Sequence, residues 1–298
     1  MAIIRASILA ALLVPLALAQ ADELQPCGTI TSSIRLKRDC LAPMIIASDN
    51  ITVNLNGHTI HGVPALRSGS IDIVDRRGVT IKNGSVSSTS AIDDRYGLNV
   101  VFGGAHTFRD LTFDNLAVRI KDVDHTVVKR VRISTSQDFP NASRSSFNLV
   151  GTNSKIMQVR ATGVLSSGGV IAGEALVIAD NDFKSESLCG LYVATVQSTV
   201  KGNAVKTAAT DARLGGLCAT GYATVIKRNT ILGIATGLIL PSTAEGFLIR
   251  NNYIRSNPSV VPDALDIRAG INACTNTWKN NDFNTDSEDD GPDAGCIR

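Results

Sequence analysis

The sequence predicts an all-β fold: a single-stranded, right-handed parallel β-helix of roughly nine to ten turns with disulfide-closed ends. Three observations support this prediction. Short apolar segments recur along the chain, the apolar period inside each segment is two, and an asparagine returns at one fixed position in the later repeats. With 44% hydrophobic but only 4% aromatic residues, the chain can bury a large core made of thin layers of aliphatic side chains.

The repeat is defined by the first apolar residue of each unit. These residues are Ile71, Leu98, Val118, Phe147, Val170, Leu191, Leu217, Leu238 and Leu265. Their spacing of about 20 to 29 residues is too short for a helix-pair repeat and matches one turn of a β-solenoid. A less regular turn precedes them in DNITVNLNGHTIHG, residues 49–62.

Within each unit the apolar residues alternate with polar ones, which indicates strands with one buried face. A leucine-rich horseshoe would require a tighter leucine consensus and a helical half. A β-sandwich would place Asn-Gly turns between paired strands. The pairs Asn56-Gly57 and Asn83-Gly84 instead occupy corresponding places within repeats, so we interpret them as corners of the coil.

The asparagine column is a specific prediction of the solenoid. Its members each stand two residues before a closing apolar residue and are Asn181, Asn203, Asn229, Asn252 and Asn281. Turns stacked about 4.8 Å apart would let each side-chain amide bond to the next. Leu111 and Val131 hold the position in earlier turns, so the ladder should stop in the N-terminal half.

The motif from Asn50 to Ile60, the units after it and the ending NTWKNNDF with a cysteine on either side resemble right-handed parallel β-helix proteins of the pectate lyase-like superfamily. The likeness covers almost all of the chain after its first residues. It implies the fold and leaves the activity open, since that family includes polysaccharide lyases, epimerases and hydrolases, phage tailspikes and adhesins. The sequence lacks the D-P-H-D and G-H-G motifs of its epimerases and polygalacturonases.

The first residues, MAIIRASILAALLVPLALAQADE, combine one arginine, a short apolar run and small residues in an A-x-A arrangement. This pattern predicts a signal peptide over residues 1–21, followed by a β-helix domain with its two caps over residues 22–298. The apolar run is shorter than the roughly 20 residues of a spanning helix. We therefore expect a secreted or periplasmic protein without a membrane span.

Six cysteines suit an oxidising compartment. Their nearness in sequence predicts a Cys27–Cys40 bond and a Cys274–Cys296 bond, each closing a loop that caps one end. Cys189 and Cys218 begin successive units, but their offsets differ by about three positions, so their pairing stays open. The cysteines lack metal-finger spacing, and we interpret the acidic tail as solvated rather than calcium-binding. No metal or cofactor is expected.

The net charge of +2 gives no general argument for nucleic acid or an anionic membrane as a partner. The longest insertions should project from one edge of the first sheet, where repeat proteins often bind ligands. They are SSTSAIDDRY, STSQDFPNASRSS, KTAATDARLG and RSNPSVVPDA. A polysaccharide or oligosaccharide is the expected partner.

Outward residues of the first strands form a stripe that is polar in its N-terminal half. The stripe runs through Asp72, Asn99, Arg119 with Lys121, Asn148, Ile171, Tyr192, Cys218, Ile239 and Asp266 with Arg268. For a uronic-acid lyase or epimerase, Arg119 and Lys121 could neutralise a substrate carboxylate, and Asp72, Asp94 or Tyr96 could move a proton.

The remaining residues of this stripe and its neighbouring loop are candidates for ligand binding: Asn99, Asn148, Tyr192 and Arg95. Glycoside hydrolysis would instead require two carboxylates, for which Asp72 with Asp93 or Asp94 is conceivable. Outward strand residues are also polar simply because they meet water. A non-catalytic carbohydrate-binding or surface structural protein of the adhesin type is therefore the alternative. We interpret His58 as a structural corner residue.

Overall fold

The fold is that of a computed structural model, which describes residues 24–62, 69–88, 96–135, 145–164, 167–270, 273–287 and 295–297. The predicted signal peptide, Asp93, Asp94 and Arg95, and most of the acidic tail lie outside these ranges. Within the described ranges, no helix is long and apolar enough to cross a membrane.

The strands are short and follow one another closely. The first fifteen are β1 (Pro26–Ile30), β2 (Ile34–Arg35), β3 (Cys40–Ile46), β4 (Thr52–Asn54), β5 (Thr59–His61), β6 (Ile71–Arg77), β7 (Thr80–Ser87), β8 (Tyr96–Gly104), β9 (Thr107–Asp114), β10 (Ala117–Asp124), β11 (Val127–Thr135), β12 (Ser145–Thr152), β13 (Lys155–Met157), β14 (Arg160–Gly163) and β15 (Ser167–Glu174). The remainder are β16 (Val177–Ala179), β17 (Asp182–Ser185), β18 (Leu191–Val196), β19 (Thr199–Lys201), β20 (Ala204–Thr207), β21 (Gly215–Tyr222), β22 (Val225–Lys227), β23 (Thr230–Leu232), β24 (Thr236–Leu240), β25 (Ala244–Glu245), β26 (Leu248–Arg250), β27 (Tyr253–Arg255), β28 (Leu265–Ala269) and β29 (Thr277–Lys279), with a 3₁₀ helix, η1, at Ala273–Thr275.

These strands stack into three parallel sheets that run the length of the molecule. The first sheet contains β3, β6, β8, β10, β12, β15, β18, β21, β24 and β28. The second sheet runs from β4 through β7, β9, β11, β13, β16, β19, β22 and β26 to β29, and the third from β5 through β7, β9, β11, β14, β17, β20 and β23 to β27. A parallel β-solenoid of about nine turns is therefore confirmed.

The core is a set of vertical columns of aliphatic and aromatic side chains. In the second sheet the second residue of each strand points inward and is buried: Val53, Ile81, Phe108, Val128, Ile156, Ile178, Val200, Ile226, Ile249 and Trp278. The residues on either side of it point outward. Each turn thus covers the apolar face of the next, which is how a solenoid buries surface that no single turn could bury.

Two corners in each turn contain a residue in the left-handed backbone region. At the corner between the second and third sheets these are Asn56, Asn83, Asp110, Arg130, Gln158, Asp180, Gly202, Arg228, Asn251 and Asn280. Asn56 (φ 56°) and Asn83 (φ 60°) belong to this corner, so the interpretation of both Asn-Gly pairs as coil corners is confirmed. Asn and Asp adopt this conformation more readily than other residues with a side chain.

The predicted asparagine ladder is present. The side-chain nitrogen Nδ2 of each asparagine donates to Oδ1 of the next at 2.8 or 2.9 Å, in the order Asn181, Asn203, Asn229, Asn252 and Asn281. Each Oδ1 after the first also accepts the backbone N–H of the preceding asparagine. Below Asn181 the column continues with Val159, Val131 and Leu111, so the ladder ends where the sequence predicts.

All six cysteines are paired. Cys27–Cys40 joins β1 to β3 near one end and Cys274–Cys296 lies near the other, as predicted. Cys189–Cys218, which the sequence left open, is also bonded, with the two Cα atoms 6.0 Å apart. The two cysteines can approach each other despite their three-residue difference in position within the repeat, because residues 186–190 form bends rather than a straight strand.

His58 has the structural role that the sequence predicts. Its Nδ1 lies 3.2 Å from Oδ1 of Asp39, and Nε2 of His61 lies 3.3 Å from Oδ2 of the same carboxylate. The backbone N–H of Thr59 donates to this carboxylate as well. That backbone hydrogen bond and the two imidazoles together hold the pKa of Asp39 below its usual value.

Candidate functional site

The outward face of the first sheet places one column of side chains above the middle of each strand. Strand register gives its members as Ile45, Asp72, Asn99, Arg119, Asn148, Val170, Tyr192, Cys218, Ile239 and Arg268. We call this column, together with the loops that border it, the first-sheet face.

Two positions of the predicted stripe are wrong. Ile171 points inward and is fully buried, and Val170 takes the outward place because Gly169 lies opposite Phe147 and Leu191. A side chain at Gly169 would come within 2.8 Å of the Phe183 ring. The phenylalanine therefore fills the space that an apolar residue occupies in other turns. A count of apolar residues consequently takes Val170 as the inward residue and misplaces the strand by one position.

The second correction is Asp266. Ile267 pairs with Leu238, so Arg268 is the outward residue and Asp266 is 2% exposed. Its carboxylate accepts hydrogen bonds from the backbone of Ser256 and Asn284, at 2.6 Å each. Asp266 therefore supports the last turn and takes no part in the face.

The polar half of the face centres on Asp72. Oδ1 of Asp72 accepts the N–H of Gly69 at 2.9 Å and Nδ2 of Asn99 at 3.0 Å, and the residue is only 8% exposed. Asn99 stands directly above Asp72 in the register. The carboxylate is thus fixed as an acceptor, and it holds the Asn99 amide in one orientation.

Arg119 and Tyr96 form the neighbouring pair. The guanidinium carbon of Arg119 lies 5.5 Å from the centre of the Tyr96 ring, a cation–π arrangement. Arg119 makes no ion pair with any residue in the described ranges. Lys121, two residues along the same strand, points to the same face, and its Nζ lies 3.8 Å from a carboxylate oxygen of Asp122.

The later half of the face is an apolar groove of about 500 Å³. Its lining comprises Asn148, Ser167, Val170, Leu188, Cys189, Tyr192, Arg213, Leu214, Cys218, Ala219, Ile239 and Pro241. The Cys189–Cys218 bond contributes to the lining, and Tyr192 is 38% exposed. The groove therefore offers a large apolar surface with a phenol, an amide and one guanidinium for polar contacts, a composition typical of ligand sites.

The structure brings together most of the predicted site residues. Asp72, Asn99, Arg119 and Tyr96 form one patch with Lys121 beside it, while Asn148 and Tyr192 lie in the groove. Asp94 and Arg95 lie outside the described ranges. Sequence reasoning missed Arg213, Leu214 and Pro241 as groove residues. The insertion KTAATDARLG, which contains Arg213 and Leu214, was the available signal for two of them.

Three stacked parallel sheets with an outward groove define a parallel β-helix protein. Among solved structures, the chain is similar to the A-module of the mannuronan C-5 epimerase AlgE4 from Azotobacter vinelandii, with a TM-score of 0.53, 11% identity and 86% of each chain covered. It is also similar to the Dettilon tailspike protein, with a TM-score of 0.50, 12% identity, and coverage of 85% of this chain and 53% of the tailspike. At these identities the likeness concerns the fold alone.

No known family profile matches the chain. No curated protein sequence matches it either.

Proposed function

We propose that this protein is exported and binds an acidic polysaccharide along the first-sheet face. The main observation behind the proposal is that a polar, charged half and an apolar half lie next to each other on one face. The guanidinium of Arg119, which has no ion-pair partner among the described residues, stands beside a fixed Asp72–Asn99 pair, and an apolar groove with an exposed Tyr192 follows on the next turns. The formation of three disulfides supports export.

Sugar chains suit such a face because each residue presents both hydroxyl groups and apolar C–H surface. Tyr192 and its aliphatic neighbours can pack against the apolar side of a ring. Asn99 and Asn148 can exchange hydrogen bonds with hydroxyl groups. Arg119 can pair with a carboxylate in a bidentate manner, which favours a uronic-acid chain over a neutral one.

A lyase or epimerase activity is the finer form of this proposal. Arg119 would neutralise the uronate carboxylate, which acidifies the adjacent C–H bond, and a base would then remove that proton. Tyr96 is one candidate for this base, and the contact of its ring with the Arg119 guanidinium supports the choice. Asp72 and Asp94 are the other candidates, and Asp94 lies two residues before Tyr96 in the sequence.

Non-catalytic binding is the second candidate and has its own supporting observation. Asp72 is the only carboxylate in the described column of the face, and two donors occupy one of its oxygens. A carboxylate held in this way orients Asn99, which is a role that binding alone requires. Hydrolysis by two carboxylates would depend on Asp93 or Asp94 as the partner of Asp72.

The test compares the wild type with an Arg119→Ala, Lys121→Ala double variant on alginate, pectate and a neutral glycan. We expect binding to the two acidic polymers to weaken about tenfold, the change that roughly 1.4 kcal/mol gives. Unsaturated product, altered uronate composition or new reducing ends would identify a lyase, an epimerase or a hydrolase.

The control is Lys37→Ala, Arg38→Ala, which removes the same charge at exposed positions near the first turn. If this control and the double variant lost affinity equally, or if neither lost any, the first-sheet face would not be the binding site. Tighter binding of the neutral glycan than of alginate would contradict the preference for an acidic chain.

A further inference from the structure

The second sheet has an outward column that is almost entirely basic. Strand register gives its members as Lys82, Arg109, Lys129, Met157, Ala179, Lys201, Lys227, Arg250 and Lys279. Arg228 adds a further cation at the corner directly after Lys227. We call Lys201, Lys227, Arg228, Arg250 and Lys279 the basic cluster.

The cations of the basic cluster form no ion pair among the described residues, whereas several cations of the earlier turns do. Asp110 pairs with Arg109 at 3.1 Å and with Arg130 at 2.5 Å. Farther along, Asp182 pairs with Arg160 and Lys184. Within the described ranges, by contrast, no ion pair involves a member of the basic cluster.

Most side chains beside the basic cluster are uncharged, and Asp180, which lies next to Gly202 at the first turn of the cluster, is the exception at that corner. The parallel outward column holds Thr199, Val225, Leu248 and Thr277, and the adjoining corner holds Gly202, Asn251 and Asn280. Stacked strands are about 4.8 Å apart, and like charges directly opposite each other in a sheet destabilise it. The fold gains nothing from four such cations in register, so their arrangement requires another explanation.

We propose that the basic cluster is a second binding surface, which holds a linear acidic polysaccharide running along the helix axis. One cation per turn produces a straight row of positive charge that a chain with one carboxylate or sulfate on each sugar can follow. The row lies on the second sheet, whereas the first-sheet face uses different strands of every turn. The proposal therefore stands independently of the function assigned to that face.

Two features favour a polysaccharide over the other polyanions. Single-stranded nucleic acid is usually bound by aromatic side chains on which bases stack, and neither outward column of the second sheet from Thr80 to Lys279 contains one. Membrane-surface binding combines cations with exposed apolar side chains that insert. Among the described residues, no exposed large apolar side chain belongs to the second sheet.

The experiment measures binding of an alginate fragment by calorimetry at several salt concentrations, using the full chain and a Lys201→Gln, Lys227→Gln variant. We expect about tenfold weaker binding in low salt, with a shallower dependence on salt, because two cations near an anionic surface are lost. A Lys37→Gln, Arg38→Gln variant removes the same charge elsewhere and should bind as the wild type does. Thermal unfolding should show the cluster variant to be at least as stable, since repulsion between turns is relieved.

The cluster substitutions are also introduced into the Arg119→Ala, Lys121→Ala background. If the cluster substitutions weaken alginate binding equally in both backgrounds, the basic cluster is a separate surface. If they weaken binding but Arg119→Ala, Lys121→Ala alone does not, the result supports the basic cluster and refutes the first-sheet proposal. Equal binding by the cluster variant and its charge-matched control would overturn the inference. So would tighter binding of a single-stranded oligonucleotide of equal charge, or of phosphatidylglycerol vesicles, than of alginate.

Discussion

His106 shows how one buried side chain makes stability depend on pH. Its ring is fully buried, stacks on Phe108 and has Nδ1 3.4 Å from the backbone nitrogen of Val79. In a later turn the corresponding backbone N–H is bound by an acceptor that does not titrate: the N–H of Phe247 donates to Oδ1 of Asn276. His106 can accept this hydrogen bond only while Nδ1 is unprotonated.

Burial, assisted by the nearby positive charge of Arg77, lowers the pKa of His106 from 6.5 to about 4. Between these values the unfolded chain binds a proton that the folded chain does not. Stability from this residue is therefore complete above pH 6.5 and is lost as the pH falls toward 4. The loss is about 3 kcal/mol, since each pKa unit corresponds to about 1.4 kcal/mol.

We predict that His106→Asn, which reproduces the acceptor found at Asn276, reduces the fall in unfolding free energy between pH 7 and pH 4.5. Urea unfolding of both proteins at each pH measures the difference, and the background from all other groups cancels in the comparison. Ser154, whose hydroxyl accepts the backbone N–H of Thr126 in a later turn, provides a control variant, Ser154→Asn, which introduces an asparagine without removing a titratable group and should leave the acid response unchanged. If the unfolding free energy fell equally between pH 7 and pH 4.5 in the wild type and His106→Asn, protonation of His106 would not destabilise the fold.

At the scale of the element, the asparagine ladder converts a polar column into a fully bonded part of the core. Oδ1 of Asn229 accepts the backbone N–H and Nδ2 of Asn203, and its Nδ2 donates to the carbonyl of Val200 and to Asn252. A buried polar group that loses its partner costs roughly 1 to 3 kcal/mol. An interior rung should therefore be much harder to replace than the last one.

We predict that Asn229→Val lowers the free energy of unfolding by about 3 kcal/mol or more, because buried donors and acceptors on both sides lose partners. Valine is the appropriate test residue, since Val159 occupies the same column without an amide. Asn281→Val serves as the matched comparison. Asn281 is half-buried, so water can replace part of its bonding and the loss should be about 1 kcal/mol. Equal losses from chemical denaturation would mean that the ladder does not act as a chain of coupled bonds.

The repeat pattern predicted the fold and the ladder because both follow from side-chain periodicity, which is local in sequence. Two positions failed where packing across the core replaces the local pattern. Gly169 takes an inward place because Phe183 fills its volume, and Asp266 turns inward to bond with Ser256 and Asn284.

The candidate site was predictable to a similar degree. Strand residues such as Asp72, Asn99 and Arg119 could be placed by alternation. The groove residues Arg213 and Pro241 could not, because they lie outside the strands and no period fixes their direction.

At the scale of the whole molecule, the total charge concealed an uneven distribution. A net charge of +2 gave no general argument for a polyanionic partner, yet the second sheet aligns cations from turns about 20 to 30 residues apart in sequence. Composition sums over all surfaces, whereas a solenoid sorts residues by their position within the repeat. Only the register of the strands shows which charges fall on the same face.

A protein with ligand surfaces on two different sheets should be able to hold two polymer chains at once. We predict that the wild type raises the light scattering and viscosity of a dilute alginate solution, with a maximum at an intermediate ratio of protein to polymer. At excess protein each chain is coated and bridges are lost, so the signal should fall again. Each of the two surface variants, Arg119→Ala, Lys121→Ala and Lys201→Gln, Lys227→Gln, should strongly lower the maximum, because each weakens one of the two surfaces. The Lys37→Gln, Arg38→Gln control should retain it. A maximum that persists undiminished in both surface variants would show that the two faces do not act as the two halves of a bridge.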